Sequence, residues 1–185
     1  MGIALADAAA DYGAHVVLVL GPVALSPLDN SIKIINVTTA GSMASECISR
    51  FPECDIAILS AAVADFTPEE VKGSKIKKGE SGLILKLKPT TDIASALGNL
   101  KKKSQILAGF ALETNNETEN AKEKLIRKNL DLIVLNSLRE NGAGFGYDTN
   151  KITIIDRYNN IDKFELKSKD DAAKDILNKI VSMLK

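Results

Sequence analysis

The sequence has few of the residues that carry metal and redox chemistry. Its 185 residues include two cysteines, Cys47 and Cys54, and one histidine, His15. Two cysteines seven positions apart with no histidine beside them leave a four-ligand metal site incomplete, so we expect both thiols to be structural. His15 opens an apolar run and is expected at the start of a strand. Chemistry that needs a histidine base is therefore excluded for this chain alone.

Long apolar runs and an excess of one charge are also missing. No apolar stretch approaches the roughly 18 to 20 residues that span a bilayer. The Ala-rich opening contains Asp7 and Asp11 and lacks a basic leading region, which argues against a signal peptide. Lys+Arg and Asp+Glu both number 24, so the formal net charge is zero. We expect a cytoplasmic protein that binds neither nucleic acid nor membrane and holds any anion locally.

Short apolar runs alternate with longer amphipathic stretches along most of the chain. This alternation is typical of βαβ units and predicts an α/β domain: a three-layer, doubly wound, Rossmann-like, mainly parallel sheet with a C-terminal hairpin. The 185 residues fit one domain. The predicted strands cover residues 15–20, 32–37, 56–59, 83–87, 105–108, 131–135, 151–155 and 163–166, and the predicted helices cover residues 2–12, 40–50, 91–100, 117–128 and 169–184.

Polar residues are expected at the carboxyl ends of three predicted strands. Asp65, Phe110 and Asn136 each follow one of these strands. Because ligands of such sheets bind outside the carboxyl ends of the strands, one crevice is predicted there. The polar stretch from residue 67 to residue 82 carries four lysines, and a loop of this length inside a compact domain is usually functional. We interpret it as a flexible lid.

Three motifs occur together in a specific order. They are SAAVADF at residues 60–66 followed by KIKK at 75–78, GFALETNN at 109–116, and RKNLD at 127–131. Together they closely resemble phosphopantothenoylcysteine synthetase, especially its bacterial form, over residues 2 to about 182. The resemblance implies a nucleotide-binding ligase of coenzyme A synthesis. In that reaction CTP and 4'-phosphopantothenate give an acyl-cytidylate and pyrophosphate, and the amine of cysteine then displaces CMP.

The resemblance also implies a set of partners and site residues. It implies Mg²⁺ as cofactor, a homodimer, and in many relatives a fused flavin-dependent decarboxylase, although no flavin is expected in this chain. Lys75 is the expected catalytic residue, because a lysine on a Gly-flanked loop can close over a triphosphate. Asp65 is expected to contact the nucleotide and its metal ion. The other expected nucleotide contacts are Ala61, Ala64, Phe66, Thr91, Asp92, Ile93, Ala94, Phe110, Lys124 and Lys128.

Each of these assignments has a structural alternative. Asp65 could belong to a turn, Phe110 could pack in the core, and Thr91 could simply cap a helix. Lys124 and Lys128 lie four apart on one helix face, so both ammonium groups can reach one anion, but exposed helix lysines are common. Residues 88–92 read KPTTD where many bacterial relatives carry Lys-Asn-Pro-Asp, which leaves the local contacts open.

The beginning of the sequence departs from the family pattern. Family members open with a Gly-Gly-Thr strand and an Asn-containing loop before the helix that starts here at Gly2. We therefore expect a single synthetase domain, residues 1–185, that is incomplete at its N-terminus. Two other classes stay open: a non-catalytic nucleotide-binding or dimerisation module, and a nicotinamide-dependent enzyme, although a Gly-x-Gly-x-x-Gly turn between a strand and a helix is missing from the sequence.

Overall fold

The computed structural model describes residues 1–77, 83–113, 116–137 and 147–184. Within these ranges, no helix is both long and apolar enough to cross a membrane. The elements in chain order are α1 (Gly2–Asp11), β1 (Val17–Leu20), β2 (Lys33–Asn36), α2 (Ala40–Arg50), β3 (Ile56–Leu59), β4 (Phe66–Pro68), β5 (Leu87–Pro89), α3 (Ile93–Leu100), β6 (Ile106–Glu113), α4 (Glu117–Arg127), β7 (Leu132–Ser137), β8 (Thr149–Asn150), β9 (Ile152–Asp156), β10 (Ile161–Lys163), β11 (Lys167–Ser168) and α5 (Lys169–Ser182).

The central sheet has five strands in the order β10-β9-β7-β6-β3. Strands β3, β6 and β7 are parallel, and β9 runs antiparallel to both β7 and β10. The predicted C-terminal hairpin is thus confirmed as β9–β10. Its turn contains Asn159 at a φ of 68°, a left-handed conformation that asparagine adopts more readily than most residues.

Two apolar cores lie on opposite faces of this sheet. Alternate residues of β6 point to opposite sides, so Ile106 and Ala108 join one core while Leu107 and Ala111 join the other. Helices α1 and α5 cover the first side, which we call the α1/α5 face. Helices α2, α3 and α4 cover the second, the α2/α3/α4 face. The predicted three-layer, doubly wound arrangement is therefore confirmed.

Strands β1 and β2 form a separate parallel pair. Among the described residues, β1 pairs only with β2 and β3 pairs only with β6, so each has one edge without a strand partner. Helix α2 packs on β1 and, through Ala44, joins the core that contains Ala57. Helix α1 likewise contacts β1 and packs near Ile56. Helices on both faces therefore bridge the interval between the two sheets, which we call the β1/β3 seam.

The seam corrects one prediction about burial. The apolar run from His15 to Leu20 is typical of a strand buried on both faces, yet β1 starts at Val17, which is 44% exposed, and its other residues are only half-buried. A strand with a neighbour on one edge alone leaves its other side accessible to solvent. Strand β1 therefore has the apolar sequence of an interior strand, although one of its edges has no strand partner among the described residues.

Two further strand predictions differ from the structure. Residues 83–87 do not form the expected strand. Instead β5 pairs antiparallel with β4, and the exposed residues Leu83 to Leu85 lie outside it. Their apolar side chains have no packed surface beneath them among the described residues, so the sequence pattern alone does not produce a strand. We call residues 66–77 and 83–89 the arm. Strand β6 is also longer than predicted, because β7 continues to pair with it through Glu113.

Candidate functional site

The carboxyl ends of β3, β6 and β7 meet at one edge of the sheet, beside the start of α1. A methyl group added to Gly2 would lie 2.9 Å from Ser60 Oγ, just after β3. The N-terminus of α1 has no side-chain cap and no acidic residue in its first turn. Free backbone N–H groups and the helix dipole favour an anion at such a position. The edge next to the β1/β3 seam is therefore suited to phosphate.

The segment between β3 and β4 exposes the predicted contact residues Ala61, Ala64, Asp65 and Phe66. Its backbone is held in place by Thr90, whose N–H donates to the Asp65 carbonyl over 2.9 Å and whose hydroxyl donates to the Ala64 carbonyl over 2.6 Å. The Asp65 carboxylate makes no hydrogen bond or ion pair with any described residue. Asp65 is thus a free carboxylate on a fixed backbone, with the 60%-exposed ring of Phe66 beside it.

Asp92, not Thr91, caps helix α3. The Asp92 carboxylate accepts hydrogen bonds from Ser95 N at 3.0 Å and from Ser95 Oγ at 2.9 Å, and Thr91 is merely exposed. The cap prediction is wrong by one residue, since Asp92 has the extended backbone that an N-cap needs. Burial opposes ionisation of Asp92, but the bonds from Ser95 and Lys128 outweigh it and lower its pKa.

Lys128 reaches Asp92 from helix α4. Its Nζ lies 3.1 Å from each of the Asp92 carboxylate oxygens, and its side chain is 22% exposed. The ion pair joins the start of α3 to the end of α4. Lys124, one turn earlier, is half-buried and also has an interaction partner. Lys124 and Lys128 are expected to reach one anion together. Lys128 instead binds the Asp92 carboxylate, so this expectation is modified.

Several predicted contacts lie within packed surfaces. The Ile93 side chain is only 8% exposed and Ala94 is half-buried, so they can offer a ligand their backbone but little side-chain surface. Phe110 was expected after a strand, yet it lies within β6 and packs against the α1/α5 core. That expectation was wrong because β6 extends to Glu113.

The predicted catalytic lysine and metal ligand, Lys75 and Asp65, are both exposed. Lys75 is exposed on the arm and makes no hydrogen bond or ion pair with a described residue; residues 78–82 of the predicted lid lie outside the described ranges. No group of three His, Cys, Asp or Glu side chains that could hold a metal occurs in the described part of the chain. A metal ion at Asp65 would thus need oxygen ligands from a bound phosphate, which suits Mg²⁺.

Two asparagines add polar groups to the same edge. The Oδ1 atoms of Asn136, at the end of β7, and Asn150, in β8, are shielded from solvent and accept no hydrogen bond from the described residues. Sequence reasoning placed Asn136 at the crevice but missed Asn150. The signal for Asn150 was available, since it continues the alternation that buries Ile152 and Ile154.

These features define a doubly wound α/β domain with exposed polar groups at the carboxyl edge of its sheet. A family model described as the DNA/pantothenate metabolism flavoprotein C-terminal domain matches residues 1–184, and the chain belongs to this family. The resemblance to the synthetase domain of coenzyme A biosynthesis is confirmed.

Individual relatives agree on the family and differ in name. The chain is 59% identical over 184 residues to a prokaryotic cysteine/cysteine sulfinic acid decarboxylase of unknown organism, covering 100% of this chain and 51% of that protein. It is 45% identical over 185 residues to the coenzyme A biosynthesis bifunctional protein CoaBC of Bacillus subtilis strain 168, covering 100% of this chain and 45% of the relative. A crystal structure of the C-terminal domain of a CoaBC protein superposes with a TM-score of 0.83 at 34% identity, covering 99% of this chain and 81% of the other. The chain thus spans about half the length of these curated relatives.

Proposed function

We propose that this domain is a phosphopantothenate–cysteine ligase that uses CTP. The observation that carries the proposal is the arrangement at the carboxyl edge, where the uncapped start of α1, the free Asp65 carboxylate and the start of α3 lie in a chain 45% identical to a coenzyme A biosynthesis protein. The reaction activates 4'-phosphopantothenate as an acyl-cytidylate with release of pyrophosphate. The amine of cysteine then displaces CMP to form the amide.

Some of the site residues neutralise phosphate charge, and others position the nucleotide. The N–H groups at the start of α1 bind phosphate oxygens. Asp65, together with phosphate oxygens, holds Mg²⁺, which neutralises phosphate charge when bound. Lys75 moves with the arm and brings an ammonium group over the triphosphate as it reacts. Ala61, Ala64 and Phe66 form the wall against the base, because their backbone and ring are exposed beside Asp65.

The α3–α4 junction and β6 supply the rest of the nucleotide site in this proposal. Thr91 and the backbone of Ile93 and Ala94 face the ligand at the start of α3. Asp92 keeps Lys128 in place, and Lys124 adds a second cation one turn away. Phe110 acts from within the sheet, supporting the crevice from below with its packed ring.

The β1/β3 seam indicates how the site is completed. Both bordering strands are apolar and each has an edge without a strand partner among the described residues, while helices cover the interval on both faces. Unpaired N–H and C=O groups in such a place favour one more parallel strand. We include this strand in the proposal: it would precede α1 and place its loop at the phosphate site.

Turnover separates this proposal from its rivals. In protein that carries the additional strand, we expect CTP-dependent pyrophosphate release only when phosphopantothenate is present. Replacing Lys75 with Gln should lower the rate by about 10²-fold or more, as for loss of one preorganised charge at a transition state. Lys72→Gln, on the same arm but in an ion pair with Glu70, is the matched control and should be close to wild type. Equal rates for both variants, or equal turnover with ATP, would contradict the mechanism.

A homodimer belongs to the same proposal. The arm exposes apolar side chains that the described part of the chain leaves uncovered, among them Val71 at 89% and Ile84 at 91%. An apolar surface of this kind favours association, and a two-fold axis would let two arms cover each other.

A second candidate comes from the name of the 59% identical relative. That protein is called a cysteine/cysteine sulfinic acid decarboxylase, and this chain corresponds to about half of it. In that case the domain would be a nucleotide-binding or dimerisation module beside a decarboxylating half. Release of CO₂ from cysteine by the longer protein, with no CTP-dependent amide formation, would favour this alternative.

A further inference from the structure

Asn136 and Asn150 lie on the same face of the sheet at the edge where the site opens. Strand register pairs Asn136 with Leu112 on one side and with Ile152 on the other. Burial alternates through Asn150, Ile152 and Ile154, which places Asn150 on the α1/α5 face with Asn136. Asn150 lies two residues before Ile152, the partner of Asn136, and diagonal neighbours across a strand pair are separated by about 7–8 Å or less. Their two side-chain oxygens can therefore converge on one small group.

Both oxygens need a hydrogen-bond donor. Asn150 is 2% exposed, and the Oδ1 atoms of both residues are buried without a partner among the described residues. A buried acceptor that loses water and gains no donor destabilises the fold. Such a pair is expected to be served by something bound between them.

Two side chains of β11, the strand that pairs with β8, donate to other acceptors. Lys167, which pairs with Asn150 across β11 and β8, donates to Asp175 over 2.6 Å. The hydroxyl of Ser168 donates to Asp171 over 2.7 Å. No donor in the described part of the chain reaches either asparagine oxygen, so a bound group can supply the hydrogen bonds.

We propose that Asn136 and Asn150 bind the primary amine of the amino-acid substrate. This rests on the proposed ligase function and adds to it the position of the nucleophile. An amine carries at least two N–H groups and so serves both oxygens, whereas a hydroxyl serves one. Both acceptors are neutral amide oxygens. They orient the amine but do not stabilise its protonated ammonium form, as a carboxylate would.

The coupling step then follows directly. The amine nitrogen, deprotonated by loss of a proton to water, donates its lone pair to the acyl carbon. The new C–N bond forms as the acyl C–O bond to the α-phosphate breaks, and the electron pair leaves on CMP. The second amine proton goes to solvent as the amide forms.

The two half-reactions test the proposal separately from the ligase assignment. We expect Asn136→Ala and Asn150→Ala each to raise the KM for cysteine by about tenfold, the size of one lost hydrogen bond. Pyrophosphate release, measured with hydroxylamine as the trapping nucleophile in place of cysteine, should stay at the wild-type rate. Asn178→Ala, on the same face but bonded to Tyr12, is the matched control and should leave both steps unchanged.

A pH profile adds a readout that a purely structural role would not move. Asn136→Asp puts a carboxylate beside the amine and favours its protonated form. The alkaline rise of the coupling rate should therefore move up by about one pH unit. The proposal is wrong if both alanine variants keep the wild-type KM for cysteine, or if hydroxylamine trapping falls in parallel with coupling. In either case the two asparagines bind only a water molecule or stabilise the fold. If no pyrophosphate is released by wild type, the ligase assignment itself fails.

Discussion

Removing the carboxylate of Asp131 should destabilise the domain far more than any surface charge would. Asp131 lies just before β7, at the edge opposite the candidate site, and its side chain is 6% exposed. It accepts hydrogen bonds from Lys101 Nζ at 2.8 Å, from Arg157 Nη1 at 2.7 Å and from Leu107 N at 2.8 Å. The Lys101 side chain is 5% exposed, so Asp131→Ala leaves an ammonium group buried without its anion.

The expected loss follows from that geometry. Removing one partner of a buried ion pair costs about 3–5 kcal/mol. A domain of this size loses about 2–4 °C of Tm for each kcal/mol, so the variant should melt roughly 6–20 °C lower. Urea unfolding followed by circular dichroism gives the free energy directly.

Two controls isolate the cause. Glu70→Gln breaks an exposed pair and should cost about 0–1 kcal/mol. Adding Lys101→Met to Asp131→Ala removes the orphaned charge and should recover a substantial part of the loss, since the two residues are coupled. An Asp131→Ala protein within about 1 kcal/mol of wild type would refute the reasoning, because it would mean that solvent reaches Lys101.

Three further outcomes are expected. Burial opposes ionisation of Asp156, but hydrogen bonds from the following turn and from Lys179 outweigh it and lower the pKa of Asp156 below its ordinary value of 3.8. The Asp156 carboxylate therefore stabilises the fold above that pH, and this stabilisation is lost as the pH falls. Asp156→Asn should flatten the acid side of a plot of Tm against pH. Gly98→Ala places a methyl group 2.0 Å from the Lys128 carbonyl and should cost about 1–3 kcal/mol in urea unfolding, whereas an unchanged midpoint would show that α3 can shift. Ile84→Asp should convert the proposed dimer to a monomer in sedimentation velocity, and a dimer that persists would place the interface elsewhere.

The parts of the fold that sequence reasoning predicted well are those with strong periodicity. The predicted bounds of helix α5 and strand β7 agree with the structure to within about two residues. A long periodic run of apolar residues defines the one face that can be buried. The errors fall where neighbours decide the outcome. Strand β6 continues through Phe110 to Glu113 because β7 pairs with it over this stretch, and residues 83–85 stay outside a strand despite their apolar pattern.

The candidate site divides in the same way. The family resemblance predicts that Asp65, Asp92 and Lys128 belong to one site, and the structure brings Asp92 and Lys128 to 3.1 Å. No local pattern predicts that these two residues pair with each other, because they belong to different helices and lie 36 positions apart. Asn150 continues the alternation of Ile152 and Ile154 in the sequence, but only the register shows that Ile152 pairs with Asn136 and so brings Asn150 to the same edge.

The sequence by itself determined the class of fold and the family, and it predicts which residues bind phosphate and metal. The alternation of apolar and amphipathic segments and the order of motifs are properties of the sequence, so they can be recognised without knowledge of tertiary contacts. Only the tertiary structure decided which face each side chain occupies, that the Asp131 carboxylate is enclosed by Lys101 and Arg157, and that β1 and β3 each keep an open edge. These depend on which distant segments become neighbours, and the free energy of burial, pairing and desolvation is set by those neighbours.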